Sequence, residues 1–387
     1  MKIHVAIVSE QVLPTIIPAL MDRPDKVYLA CSKDMAELGV GDRLSRALLR
    51  EDIGSEILLD VPDAGLAAIR RYADVLADSI RELHPEAKVV LNATGGTKPM
   101  SFGFIEAFRA ISASAIYTDT RHRCIEHLFD ENGGTSDPIP MMDVLDVPAY
   151  LEAQGFRLKS IRSDNPFWRQ QASERNLLCS YLAKNAAVIQ GLIGELNYLA
   201  DRALDGQNSL IQPVQSFASV PRGNKAEALG KIAAANLLRW QDGSQEIEFV
   251  DLESLRFLHG GWLEEYVWRT LRDAGSYDCR MGVDVKWEDG EKNPNEFDVI
   301  AAHCNQLLFV ECKTVTHREE KDTNTAYKVE SLGKKARGVF GESWVVCART
   351  PTVVMRDRAE QANIRIFGPE DLLDLGSLAT KWMEGKP

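Results

Sequence analysis

Five short apolar runs rich in β-branched residues, most of them trailed by a helical pattern, occupy the first 120 residues, and nothing else in the chain restricts its fold as tightly. The runs are IHVAIVS (3–9), VYLACS (27–32), EILLDV (56–61), VVLNAT (89–94) and AIYTDT (115–120). Helical periodicity fills the gaps from about Leu13, over 33–50, over 64–83 and after GGTKPM. Strands that alternate with helices at this spacing pair in parallel, because a helical crossover returns the chain to the same end of the sheet. The spacing predicts an α/β, Rossmann-like sheet with helices on both faces. Ligands in such sheets bind beyond the carboxyl ends of the strands, so the residues of those loops are the binding candidates.

The 387 residues exceed one ordinary domain. After the parallel pattern, CIEHLFD reads as one more strand, DENGGTSDP as a turn, and 151–168 as a linker. Residues 173–204 and 225–240 are strongly helical, a middle module open to a winged-helix reading. A second α/β pattern starts near 257: a helix over 261–274, then strands over 281–288, 296–303, 306–314 and 343–349. A helix at 325–338 falls between the last two, and a strand-turn-helix closes the chain. The expected division is 1–145, 146–250 and 251–387.

No apolar run approaches the length that spans a bilayer, and MKIHVAIVSE lacks the long apolar core of a secretion signal. The seven cysteines are scattered and form no C-x-x-C pair, which argues against a disulfide framework and for a reducing compartment. The expectation is a soluble, cytoplasmic protein without a membrane partner. A net charge of −12 excludes a surface that is basic throughout, so any contact with nucleic acid needs a local basic segment. Residues 313–337 supply one, with seven cationic against four acidic side chains, and a solvated helix face is the alternative for any single lysine.

The second α/β pattern carries the clearest chemistry. Asp298 lies in one strand, and Glu311 and Lys313 lie in the next, spaced i, i+2 and so on one face. The intervening HCNQ is of hairpin length and brings Asp298 beside Glu311. Two carboxylates hold a hard cation such as Mn²⁺ or Mg²⁺, which polarises a phosphate and acidifies bound water. A lysine beside them balances charge in the transition state. Glu264, with Val267 and Trp268 at i+3 and i+4, borders the apolar helix face and completes the set as a third carboxylate. Glu265 has Arg269 at i+4 and reads as half of a solvent-exposed pair. A charged pair on the solvent face of an ordinary strand is the plainer alternative for Glu311 and Lys313. Against it, QLLFVEC is apolar on both faces up to Val310, and charge entering a buried strand is costly unless used.

In the first pattern, NATGGTKPM follows the fourth strand and opens a helix. Asn92, Thr94, Gly95, Gly96, Thr97 and Lys98 offer backbone N–H groups, two hydroxyls and a cation at a helix N-terminus, where Pro99 suits the first turn. After the first strand, Ser9, Glu10 and Gln11 stand at the same sheet edge. Neither a Walker A loop nor G-x-G-x-x-G is present. Plain turns and a Ser9 helix cap are the alternatives. His122, Cys124 and His127 fit a half-buried strand better than a metal site, Trp262 and Trp268 fit a core, and Asp119 fits either a turn or a ligand-facing edge.

The C-terminal order of helix Glu, strand Asp and strand Glu-x-Lys resembles the PD-(D/E)xK nucleases over roughly 257–370. VSEQ and NATGGTKPM resemble a CARF domain, the sensor of cyclic oligoadenylates. With GGWLEEYV, EFDV and ECKT, nearly the whole chain is similar to the CARF–nuclease ancillary effectors of type III CRISPR systems. That resemblance implies an N-terminal CARF domain, a C-terminal restriction-endonuclease-like domain, and a homodimer that binds a cyclic oligoadenylate, tetra-adenylate favoured, on its two-fold axis. It implies Mn²⁺- or Mg²⁺-dependent cleavage of single-stranded RNA or DNA, or nicking of duplex DNA, in antiviral defence. The competing readings are a ligand-binding regulator in which the nuclease fold is inert and the middle module contacts DNA, and a Rossmann-type metabolic enzyme. The intact Asp298, Glu311 and Lys313 set opposes the first, and the missing dinucleotide fingerprint opposes the second.

Overall fold

The computed structural model describes residues 1–287, 295–314 and 341–385. The expected helix at 325–338, and the basic segment beyond Thr314, lie outside the described residues. The chain forms two compact units. One is Met1–Arg157 in the main, and the other is built chiefly from Leu158 onward.

The first unit is organised by a seven-stranded sheet of order β3-β2-β1-β4-β5-β6-β7. Its strands are β1 (Lys2–Ile7), β2 (Lys26–Ala30), β3 (Gly54–Leu58), β4 (Lys88–Asn92), β5 (Ser114–Asp119), β6 (Cys124–Phe129) and β7 (Ile139–Pro140). The first five pair in parallel, and β6 and β7 add antiparallel. All five predicted strands therefore form, within two residues at their starts. The helix predicted over 33–50 is two helices, Lys33–Glu37 and Val40–Arg50, because Gly39 adopts a left-handed φ of 64° between them. β1 is buried on both faces, Ile3, Val5 and Ile7 on one and His4 and Ala6 on the other, as a sheet covered on both sides requires. The strand order reverses between β1 and β4. Doubly wound sheets bind ligands at the carboxyl ends beside such a switch point, and the loops leaving those two strands border it.

The second unit carries a six-stranded sheet of order β16-β15-β14-β13-β12-β8. It contains β8 (Phe156–Ile161), β12 (Asp278–Trp287), β13 (Asn295–His303), β14 (Gln306–Lys313), β15 (Glu342–Cys347) and β16 (Arg365–Phe367). A separate antiparallel sheet joins β9 (Val214–Ser216), β10 (Leu238–Trp240) and β11 (Glu246–Phe249) in the order β10-β11-β9. The stretch predicted to be a linker is instead ordered. It holds the helix Val147–Ala153, the edge strand β8 and the helix Pro166–Glu174. An edge strand whose sheet partner lies more than a hundred residues away leaves no local signal of its pairing.

The helix Asn176–Ala203 corrects the reading that no segment is long enough to span a bilayer. It passes that test by length and composition, with mean hydropathy 1.2. Its apolar side is nonetheless committed to protein. Leu182, Ile189, Leu192 and Leu196 share one core with Ile247 of the small sheet, with Leu263 and Trp268 of the helix Trp262–Asp273, and with Val299, Leu308 and Trp344 of the large sheet. The middle helices and the C-terminal sheet thus fold around the same apolar interior.

Candidate functional site

The hairpin from β13 to β14 turns on Cys304 and Asn305, both left-handed, with φ of 49° and 54°. Two such residues give the hairpin turn whose twist matches that of the strands. The register then runs from His303↔Gln306 to Val299↔Val310, so Asp298 and Glu311 are the next residues on either strand. Asp298 Oδ2 accepts the backbone N–H of Cys312 at 2.7 Å, which fixes that carboxylate against β14. Lys313 Nζ donates to Glu311 Oε1 at 2.6 Å, as i, i+2 neighbours on one strand face can. Both side chains are largely buried.

Glu264 reaches this group from the first turn of the Trp262–Asp273 helix. A wide turn over Phe257–Gly261 leads into that helix and breaks from helical geometry at Gly260. A Cβ on Gly260 would stand 3.3 Å from Thr314 Oγ1, so the break packs closely against the residue that follows Lys313. Thr314 Oγ1 lies within hydrogen-bond reach of His259 O (3.1 Å) and of Asn197 Oδ1 (3.2 Å), and Asn197 Nδ2 donates back to Thr314 O at 3.4 Å. The long helix, the helix break and the end of β14 are therefore pinned at one point.

The electrostatics follow from three carboxylates sharing one ammonium. Burial, with the charges of Glu311 and Glu264, holds the Asp298 carboxyl well above the usual carboxylate range. Burial pushes the Glu264 carboxyl up to about 7; Arg162 opposes this, and Glu296 and Glu311 add to it. Burial alone would lower Lys313, but Glu311 and Asp298 more than offset it, and the ammonium is held above its ordinary value. An all-oxygen set with surplus negative charge, rigidly backed, is the donor chemistry of a hard divalent cation, so these residues fit Mn²⁺ or Mg²⁺.

Glu265 overturns its expected role. It is 3% exposed and pairs with Arg175, Oε1 accepting from Nη2 at 2.5 Å and Oε2 from Nε at 3.3 Å. Arg175 also lies over the Phe257 ring. Arg269, its expected solvent partner, donates instead to the carbonyl of Ala172. Helical periodicity marks one apolar stripe, but this helix is covered on a second side by Arg175 and Cys179, so a position off the stripe is buried as well. Arg162, Asn197 and Thr314 were not singled out in the sequence. Each acts across a long sequence separation and carries no local pattern.

In the first unit the loops after β1 and β4 lie side by side. Ser9 is half-buried and its Oγ donates to Gln11 O at 3.3 Å, while Glu10 and Gln11 are exposed. Ser9 does not cap the following helix, whose N-cap is Val12. Gly95 and Gly96 are required by close approach: a Cβ would meet Ile7 O at 2.0 Å and Ile7 Cγ2 at 2.4 Å respectively, and Gly96 has φ +74°. Thr97 caps the helix Lys98–Ala110, its Oγ1 accepting from Met100 N at 3.4 Å and donating to Asp63 O at 3.0 Å. Gly96, Thr97 and Lys98 are exposed. Asn92, expected among the ligand residues, is buried. Its Nδ2 donates to Pro14 O at 2.9 Å, and its Oδ1 accepts the amide and hydroxyl of Thr94. Thr94 Oγ1 also accepts the N–H of Thr118 at 2.8 Å. Asn92 and Thr94 thus brace the loop from behind. Trp262 and Trp268 are core residues, and Trp268 Nε1 donates to Cys279 O.

Residues 3–150 match the family model of the Card1 CARF domain, and residues 251–385 match that of the Card1-like endonuclease domain. Among solved structures, protein VC1899 from Vibrio cholerae superposes with a TM-score of 0.85 at 24% identity, over 99% of this chain and 98% of that one. Can2 from Sulfobacillus thermosulfidooxidans, solved with cyclic tetra-adenylate, gives 0.76 at 24% identity over 99% and 97%. A type III CRISPR defence DNA nuclease activated by cyclic oligoadenylate gives 0.56 at 19% identity, over 97% of this chain and 51% of that one. No curated protein matches the chain.

Proposed function

The chain joins a Card1 CARF domain to a Card1-like endonuclease domain, and from that pairing we propose a metal-dependent endonuclease of type III CRISPR defence, switched on by a cyclic oligoadenylate. The observation that carries the reading is the convergence of Glu264, Asp298, Glu311 and Lys313 in one partly buried group. Asp298, Glu311 and Glu264 would hold Mn²⁺ or Mg²⁺. Bound there, the cation supplies Lewis-acid polarisation of the phosphate and a water acidified toward neutral pH. The Cys312 N–H keeps Asp298 oriented without the help of solvent. The Lys313 ammonium faces the charge that gathers on the phosphate oxygens. The raised Glu264 and Asp298 link cation binding to proton release, so affinity climbs with pH.

At the other end, the exposed Gly96, Thr97 and Lys98 at a helix N-terminus suit an anionic phosphate, and Ser9, Glu10 and Gln11 stand across the switch point. Cyclic tetra-adenylate is the ring favoured, by analogy with the bound Can2 structure. One chain brings one copy of each loop, so a ring with two-fold symmetry is matched by a two-fold dimer. None of the seven cysteines is in a disulfide.

The test is to incubate labelled single-stranded RNA, single-stranded DNA and plasmid with the protein, Mn²⁺ or Mg²⁺, and a panel of cyclic oligoadenylates. Cleavage should need both the cation and one ring size, and should vanish in Asp298→Ala and Glu311→Ala. Undiminished cleavage by both variants would overturn the assignment. Ring binding without cleavage under any condition would favour a regulator with an inert nuclease fold.

A further inference from the structure

A second group of donor side chains sits far from the nuclease carboxylates in sequence, on the β5–β6 hairpin. The register pairs Asp119 with Cys124 directly across the two strands, and Tyr117 with Glu126. Cross-strand partners share a face, and so do residues two apart, so Asp119, Cys124 and Glu126 all project from one side of the hairpin. Their ligand atoms lie within 4.8 Å of one another. Cys124 Sγ is 3.8 Å from Glu126 Oε1. In a tetrahedral zinc site, bonds of ~2.0–2.3 Å set ligand atoms ~3.3–3.8 Å apart, so little movement is needed to enclose an ion.

Asp119 is already oriented for that task. Its Oδ1 accepts the backbone N–H groups of Arg121 and His122, at 2.9 and 3.0 Å, and its Oδ2 accepts His122 Nδ1 at 2.7 Å. A carboxylate has about four acceptor positions, so one is left after these three bonds. An imidazole N–H held against a metal-binding carboxylate is a common outer partner that fixes its direction.

We infer that Asp119, Cys124 and Glu126 form a site for a thiophilic divalent cation of the zinc type, with His122 positioning Asp119 and a fourth coordination place left to solvent. The donor mixture selects the ion: thiolate disfavours Mg²⁺ and Mn²⁺, whereas Zn²⁺ accepts sulfur, nitrogen and oxygen together. Binding replaces the thiol proton of Cys124, which passes to solvent, by a metal–sulfur bond. The site would tie the turn between β5 and β6 with an ion distinct from the one the nuclease group suits.

Cobalt titration of the full chain tests this, because thiolate ligation gives Co²⁺ a charge-transfer band that oxygen ligands do not. One Co²⁺ per chain should show that band in the wild type and in Asp298→Ala, and Zn²⁺ should displace it. Cys124→Ser should abolish the band, and Glu126→Gln should weaken Zn²⁺ affinity by at least about tenfold. A folded wild type with no charge-transfer band would overturn the proposal. So would a band that survives Cys124→Ser, or one that is lost in Cys312→Ser while Cys124 is intact.

Discussion

Two adjacent glutamates divide the work of the Trp262–Asp273 helix. Glu264 faces Asp298 and Glu311, where it is less stable ionised than it would be in water, whereas Glu265 is spent on Arg175. The sign of the first effect is testable. A carboxyl whose folded pKa exceeds its unfolded value binds its proton more tightly in the folded state, so stability is lost as pH rises through the window. For Glu264 that window runs from 4.5 to about 7. In chelator, Glu264→Gln should therefore be more stable than wild type at pH 8, by on the order of 2 kcal/mol, and equal to it below the window. Thermal melts from pH 4 to 8 measure the gap, and a variant less stable at pH 8 would contradict the strain. The second effect has the opposite character. Arg175→Met strands a buried carboxylate and should cost about 3 kcal/mol or more in denaturant unfolding, whereas Arg175→Met with Glu265→Leu should recover most of it. Equal losses in the single and double variants would show that Glu265 does not depend on its partner.

At the scale of elements, what the sequence discloses is what is local. The five parallel strands announce themselves because each alternates with its own helix. The Asp298–Glu311 pairing announces itself because its hairpin closes over two residues, Cys304 and Asn305. β8 does not, since FRLKSI has no neighbour in the sequence that tells it where to pair. Asn92 misled for a related reason: an amide in a loop next to a helix N-terminus reads as a ligand contact, and only the distant carbonyl of Pro14 shows that it faces inward. The shared core has a practical corollary. A fragment that starts at Asp251, where the endonuclease pattern begins, lacks both β8 and the Asn176–Ala203 helix and should aggregate or expose its core. A fragment from Gly155 should fold cooperatively. Circular dichroism and urea melts separate the two, and a cooperative melt from the shorter piece would show that the helix is dispensable.

At the scale of the whole molecule, the loops at the β1/β4 switch point and the carboxylates of the second sheet belong to separate units. If a ring governs cleavage, its energy has to enter through a difference in affinity between two arrangements of the protein. A two-fold dimer sharing one ring makes that difference common to both nuclease sites. Titration calorimetry should then give one ring per two chains. Thr97→Ala with Lys98→Ala should weaken ring binding, and a mixed dimer with one altered protomer should lose activation. A stoichiometry of one ring per chain, or an active monomer by light scattering, would rule the arrangement out.

The order of synthesis gives β8 one more meaning. The chain passes from the first unit to the second within this strand, yet its partner β12 begins only at Asp278. At ordinary translation rates the strand waits on the order of 10 s for that partner to leave the ribosome, and the carboxylates of β13 and β14 come later still. A nascent chain therefore holds the first unit while the second still lacks the strands that carry Asp298, Glu311 and Lys313. The unit with the β1/β4 switch point is therefore complete before any residue of the Asp298, Glu311 and Lys313 group is made. Ribosome-arrested chains of increasing length, probed by limited proteolysis, should show protection of residues 1–150 well before any of 158–203. Simultaneous protection of both would contradict that order.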